Sequence, residues 1–116
     1  MKVLLDENLD HALRFLLEPH EVITVTYMAW AGLQNGALLR AAEVSGFDVL
    51  LTGDQTLHQE QNLAGRRLAI VALTAIQLPL IKEHLPKIVA AISNAAPGSF
   101  QVVDCGTFRR KKAYEE

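Results

Sequence analysis

Cysteine is nearly absent from this chain of 116 residues, Cys105 being the only one. That excludes an internal disulfide and any centre built from several thiolates, and it agrees with a reducing compartment. The simplest role for Cys105 is a small apolar filler at a strand end. Long hydrophobic runs are lacking as well. The longest, Leu68 to Leu73, falls far below the ~18 residues of a membrane helix, so no span is expected. The start, Met1-Lys2-Val3-Leu4-Leu5-Asp6-Glu7, meets two acids after three apolar residues and cannot supply the ~7–15 residue apolar core of a secretory signal. A cytoplasmic location is expected. Nor is there a surplus of positive charge. The formal net charge is −2, and residues 1–108 alone carry seven basic against eleven acidic groups. The body does not advertise nucleic-acid binding, and the run Arg109-Arg110-Lys111-Lys112 reads as a solvated basic tail over 109–116.

What remains is a composition of 50% hydrophobic and 21% charged residues, that of one compact α/β domain over 1–108. Lys2 to Leu5 reads as a buried strand. After the polar break Asp6-Glu7-Asn8, the residues Leu9, Ala12, Leu13, Leu16 and Leu17 keep helical spacing until Pro19. Glu21 to Thr26 is a second strand, and Tyr27 to Gln34 a loop holding Trp30, read as a lid over the core. Asn35 is a plausible N-cap for a helix over Gly36 to Ser45, with Leu38, Leu39, Ala42 and Val44 inward and Gly46 as its stop. Asp48 to Thr52 and Leu68 to Leu73 lack polar alternation, as strands of a parallel sheet covered on both faces do. A short helix is expected over Gln55 to Asn62. Pro79 suits the first turn of a helix carrying Ile81, Leu85, Ile88, Val89 and Ile92, which Pro86 must kink or split. Pro97-Gly98 is a turn, and Phe100 to Val103 the last strand. Strands alternating with helices predict a three-layer α/β/α domain with a mostly parallel sheet of 4–5 strands.

In such sheets ligands collect beyond the carboxyl ends of the strands, where the winding reverses. Asp6, Glu7 and Asn8 follow the first strand, Asp54 follows the third within Thr52-Gly53-Asp54, and Asp104 ends the last. If the first and third strands are neighbours, Asp6 and Asp54 converge. Two close carboxylates are most readily neutralised by a hard cation such as Mg²⁺ or Mn²⁺, which can activate water and offset charge on a phosphate under attack. The pair thus points to metal-assisted phosphodiester hydrolysis, with Thr52 able to donate a hydroxyl to a carboxylate or phosphate. The competing role for both acids is helix capping. His11, His20, His58 and His84 show no metal-ligand spacing.

Leu4-Leu5-Asp6-Glu7-Asn8, then Trp30-Ala31-Gly32-Leu33-Gln34-Asn35-Gly36, then Leu51-Thr52-Gly53-Asp54-Gln55 with Gln61-Asn62-Leu63-Ala64-Gly65-Arg66, taken in order, resemble the short PIN-like proteins of bacteria, relatives of VapC-type toxins. The resemblance runs from residue 2 to about 104. It implies a PIN-like fold and Mg²⁺- or Mn²⁺-dependent ribonuclease action, often as the toxin of a toxin–antitoxin pair, with RNA as substrate, an antitoxin protein as partner and self-association. Asp6 and Asp54 match two acids of the family and carry over as metal ligands. Asn35 stands where many relatives place an Asp, and the further acid of full PIN domains has no clear counterpart, Glu43 lying about two turns beyond Asn35. Glu7 and Asn35 are then auxiliary catalytic groups. Asn8, Thr52, Gln55 and Arg66 are expected to bind substrate, with Arg67 a second candidate phosphate contact. Two alternatives stand beside this reading: a PIN-like module that binds RNA or a partner without cleaving, and a receiver-like signalling domain, since Asp54 and Val71-Ala72-Leu73-Thr74-Ala75 echo that pattern.

Overall fold

A computed structural model describes residues 1–106; the basic tail expected over 109–116 lies outside the described residues. Five strands, β1 (Lys2–Leu5), β2 (Glu21–Thr24), β3 (Val49–Thr52), β4 (Ala69–Leu73) and β5 (Phe100–Val103), form one sheet in the order β2-β1-β3-β4-β5. All four pairings are parallel, so "mostly parallel" becomes wholly parallel. β1 and β3 are adjacent, with Leu4 beside Leu50 and Leu5 beside Leu51.

Side chains of successive strand residues point to opposite faces, and each face is closed by its own helices. Val3, Leu5, Val49, Leu51, Ala69, Val71 and Leu73 pack against Leu13 of a 3-10 helix (His11–Phe15) and against α3 (Leu78–Lys82) and α4 (Leu85–Ser93) through Ile81, Ile88 and Ile92. Leu4, Leu50 and Ile70 face the other way, onto Leu38, Leu39 and Ala42 of α1 (Asn35–Val44) and Leu57 of α2 (Leu57–Glu60). This is the three-layer α/β/α arrangement. The connections β1–β2 and β4–β5 cross the same face yet step to opposite sides, so they have opposite hands. The other three connections share one hand, which the strong right-handed preference identifies as right-handed, leaving β4–β5 as the left-handed one.

Several expectations are corrected. The first helix is a five-residue 3-10 segment, whose N-cap is Asp10, accepting from the Ala12 N–H at 2.8 Å. At about 2 Å rise per residue it recrosses a four-residue strand that is about 13 Å long. β2 ends at Thr24 because the Thr24 hydroxyl accepts the Tyr27 N–H at 3.0 Å and its carbonyl the Met28 N–H at 3.2 Å, turning the chain. Asn35 is the first residue of α1 and not its cap; Gln34 holds the cap position without a side-chain bond. Val44 is 89% exposed, on the side of α1 opposite Leu38, Leu39 and Ala42. Pro86 does split the last helix, each half carrying proline at its start, where the absent N–H costs nothing. Cys105 is fully buried as expected, and burial pushes its thiol above the usual range.

Candidate metal site

Asp6 continues the β1–β3 ladder, its N–H donating to the Leu51 carbonyl at 2.9 Å. It therefore falls opposite Thr52 on the face shared with Leu4 and Leu50. The Thr52 hydroxyl, wholly buried, donates to Asp6 Oδ2 at 2.7 Å and accepts the Asp54 N–H at 3.0 Å. One side chain thus joins the ends of two strands, and the Asp6 carboxylate lies within the combined length of those two bonds of the Asp54 main chain. Asp6 Oδ1 accepts the N–H of Glu7 at 2.8 Å, and the Asn8 amide oxygen accepts the Gly53 N–H at 3.1 Å, a second tie between the β1 and β3 ends. Gly53 is required by close approach rather than by an unusual φ. A Cβ there would stand 2.5 Å from Cγ2 of Ile76, which rests on the glycine from the β4 end.

The capping role divides between the two acids. Asp6 does not cap the 3-10 helix, since Asp10 does so. Asp54 Oδ1 is engaged in a local turn, accepting the N–H and hydroxyl of Thr56 at 2.9 and 2.8 Å, whereas its Oδ2 has no partner among the described residues. Thr56 was not singled out by sequence reasoning, although Asp-Gln-Thr is a recognisable turn signal. Asp6 and Asp54 are both half-buried.

Asn35 opens α1 at this same carboxyl edge, because α1 must carry the chain from the end of β2 back to the start of β3. α1 covers the face onto which Leu4 and Asp6 point. Glu7, Asn8 and Gln55 are exposed at the edge. Arg66 and Arg67 are elsewhere: they precede β4 and so lie at the amino edge, a strand's length of about 13 Å away. There Arg66 pairs with the Glu43 carboxylate, whose Oε2 also accepts the Arg67 N–H at 3.0 Å. Burial works to raise the Glu43 carboxyl, but the bonds from Arg67 and Arg66 outweigh it and hold the group below its ordinary value. Glu43 therefore supplies no third charge near Asp6. A cleft of about 230 Å³ beside it, lined by Phe47, Asp48 and Arg67 among others, belongs to the same amino edge.

Asp104 ends a strand that is parallel, yet β4 separates it from β3, so it stands two sheet spacings, about 10 Å, from the end of β3. Its carboxylate accepts the Gly106 N–H at 2.8 Å, the main cause of a lowered pKa, and Thr74 Oγ1 at 3.4 Å; that hydroxyl in turn accepts the Cys105 N–H at 2.8 Å. Thr74 is thus turned to β5 and away from Asp54, unlike the arrangement a receiver-like site needs. Among the described residues no group of three or more His, Cys, Asp or Glu is placed to share a metal ion. Two carboxylates of hard oxygen, flanked by the Asn8 amide and completed by water, nevertheless fit one Mg²⁺ or Mn²⁺, which is held by one or two protein carboxylates as a rule.

Comparison with protein-family models, with curated proteins and with solved structures finds no match. Among the described residues no helix is long and apolar enough to cross a membrane.

Proposed function

We propose that this chain is a PIN-like endoribonuclease that hydrolyses RNA with Mg²⁺ or Mn²⁺, and that it acts in the cytoplasm as the toxin of a toxin–antitoxin pair. The observation that carries this reading is the coupling of Asp6 to Asp54 through the Thr52 hydroxyl at the β1/β3 junction, the point where the winding of the sheet reverses. Such a junction is where open α/β sheets bind ligands. Asp54 Oδ2, without a partner among the described residues, and the outward lone pairs of Asp6 would hold the ion. When bound, the cation would lower the pKa of its water and offset charge on the phosphate. Thr52 fixes the rotation of the Asp6 carboxylate, Asn8 holds the Gly53 backbone that aims Asp54, and Glu7, exposed beside Asp6, is available to accept a proton from water. Asn35 contributes an amide without charge, consistent with a weakly held metal. RNA is the substrate, and an antitoxin protein and a second copy of the chain are the expected partners.

The test is incubation of end-labelled RNA with purified protein and Mn²⁺, beside Asp6→Asn and Asp54→Asn. The expected result is internal cleavage that EDTA abolishes and either variant lowers at least 100-fold, on the scale of losing a principal charge-stabilising group. Equal cleavage by Asp54→Asn and the parent refutes the assignment. The reading of a module that binds without cleaving is favoured by one observation, the engagement of Glu43 at the far edge, and predicts RNA binding with no product in any lane. A receiver-like domain is disfavoured by the position of Thr74 and by α4, which crosses the face opposite to α1 and α2.

A further inference from the structure

β2 is an edge strand, and along it runs a cleft of about 290 Å³ lined by Arg14, Glu21, Val22, Ile23, Thr24 and Tyr27. The charged groups around it make no ion pair among the described residues. The Tyr27 side chain is 77% exposed and makes no hydrogen bond or ring contact among the described residues. The Arg14 guanidinium lies 4.5 Å from the ring centre of Phe15 and makes no ion pair among the described residues. The Glu21 carboxylate is exposed and has no partner among the described residues, although the oppositely charged Arg14 lines the same cleft. Because β2 pairs only with β1, the N–H and C=O of Val22 and the N–H of Thr24 face outward along the free edge. The cleft reaches the carboxyl edge only at Tyr27, since Glu21 opens β2 beside Met1 at the amino edge. The Val25 N–H donates to the Leu5 carbonyl at 3.0 Å, so Tyr27 follows β2 one strand away from Asp6.

We propose that this cleft is a subsite for one unpaired guanine nucleotide of an RNA strand whose scissile phosphate sits at Asp6 and Asp54. The proposal rests on the nuclease reading for that last clause alone. A ring face, a cation and an anion together ask for a ligand with an aromatic plane, a phosphate and a pair of donors. Bases stack on an exposed aromatic side chain whatever their sequence. A phosphate suits the guanidinium fork of Arg14. A carboxylate accepts and cannot donate, so Glu21 selects among bases. Guanine alone presents two adjacent donors, N1–H and the N2 amino group. Adenine and cytosine set a ring nitrogen acceptor beside their amino group, which a carboxylate repels.

The experiment measures fluorescence anisotropy of a labelled oligouridine carrying a single guanosine, inosine or adenosine, titrated with the full chain bearing Asp54→Asn in Mg²⁺ so that no cleavage intervenes. Guanosine is expected to bind most tightly, inosine less and adenosine least. Tyr27→Ala should weaken guanosine binding about tenfold, within the range of a lost stacking contact, while Tyr27→Phe retains it. Arg14→Gln should lower the slope of log K against log salt by about 0.7, the share of one phosphate contact on a single strand. Glu21→Ala should erase the preference for guanosine over inosine. Equal binding of the three oligonucleotides, or parent-like binding by both Tyr27→Ala and Arg14→Gln, overturns the proposal. Parent-like RNA binding by those two variants with a loss of binding to an extended peptide would assign the edge to a protein partner instead. Hydrolysis of bis(4-nitrophenyl) phosphate with Mn²⁺ in the chain without Asp54→Asn, a reaction involving no base, separates the two readings. Its absence beside intact guanine selectivity would sink the nuclease reading while leaving the subsite.

Discussion

Replacing Thr52 by Val removes one oxygen from the point where β1 and β3 are joined. The side chain is fully buried and nearly the same shape as valine, so the β3 strand keeps its packing. Two hydrogen bonds go at once, one to Asp6 Oδ2 and one from the Asp54 N–H. The first is charge-assisted, and such bonds contribute about 1.5–3 kcal/mol; the second leaves a part-buried N–H without its acceptor, at about 1–3 kcal/mol. Water reaches the half-buried Asp6 and recovers part of this, so the expected net loss is about 2–3 kcal/mol. For a domain near 100 residues that lowers the melting temperature by about 10–20 °C. Thr52→Ser keeps the hydroxyl and loses one methyl group, a cost of about 1 kcal/mol. Urea denaturation followed by circular dichroism measures both. The order expected is parent, then Ser, then Val, and calorimetric titration with Mn²⁺ should show Val weakened more than Ser. Equal stability and equal Mn²⁺ affinity of Val and Ser would mean that the hydroxyl bridge does not organise this edge, and the metal-site argument would lose its foundation.

Gly53→Ala should cost about 1–2 kcal/mol through the clash with Ile76, and Ile76→Ala, measured in the same melts, should cancel most of that cost; independent, additive effects would contradict the close approach. Glu43 has a folded-state pKa below its unfolded value, so its bonds to Arg66 and Arg67 stabilise fully above the unfolded value of about 4.5 and are lost as pH falls through the lowered one. Glu43→Gln should flatten the decline in stability below about pH 4.5, which acid denaturation curves of the two proteins would show, whereas parallel curves would refute it. Leu50→Ala, deleting a side chain from the centre of the sheet, should cost about 2–5 kcal/mol in urea, against under about 0.5 kcal/mol for the exposed Val44→Lys.

The strands were legible because their chemistry is uniform. Val49-Leu50-Leu51 and Leu68 to Leu73 have no polar position on either face, and only a sheet covered on both sides asks for that. Prolines and glycines marked the boundaries, Pro86 splitting one helix and Gly46, at φ +82°, ending another. The 3-10 form of the first helix is not legible in the spacing of Leu9, Leu13 and Leu17, which describes which residues face inward and not how tightly the backbone is wound. Apolar character alone does not place Val44, which stands two residues, about 200° of helix rotation, past the buried Ala42. The adjacency of the β1 and β3 ends, which carry Asp6 and Asp54, follows from strand order alone. Arg66 escaped that logic, since a motif read along the chain does not say that six residues after the end of α2 the backbone has already returned to the opposite edge.

By itself the sequence determined five strands and the burial of β1, β3 and β4, the alternation with helices, and the acids at two strand ends, because each depends on local chemistry within about ten residues. The tertiary structure alone decided which groups meet. It brought Thr52 between Asp6 and Asp54, turned Thr74 toward Asp104, locked Glu43 to Arg66, and set α4 on the face that gives β4–β5 its opposite hand. Contacts of that kind join residues dozens of positions apart, and they are fixed by strand order and by the face on which each helix finds unfilled apolar surface, neither of which any one segment encodes.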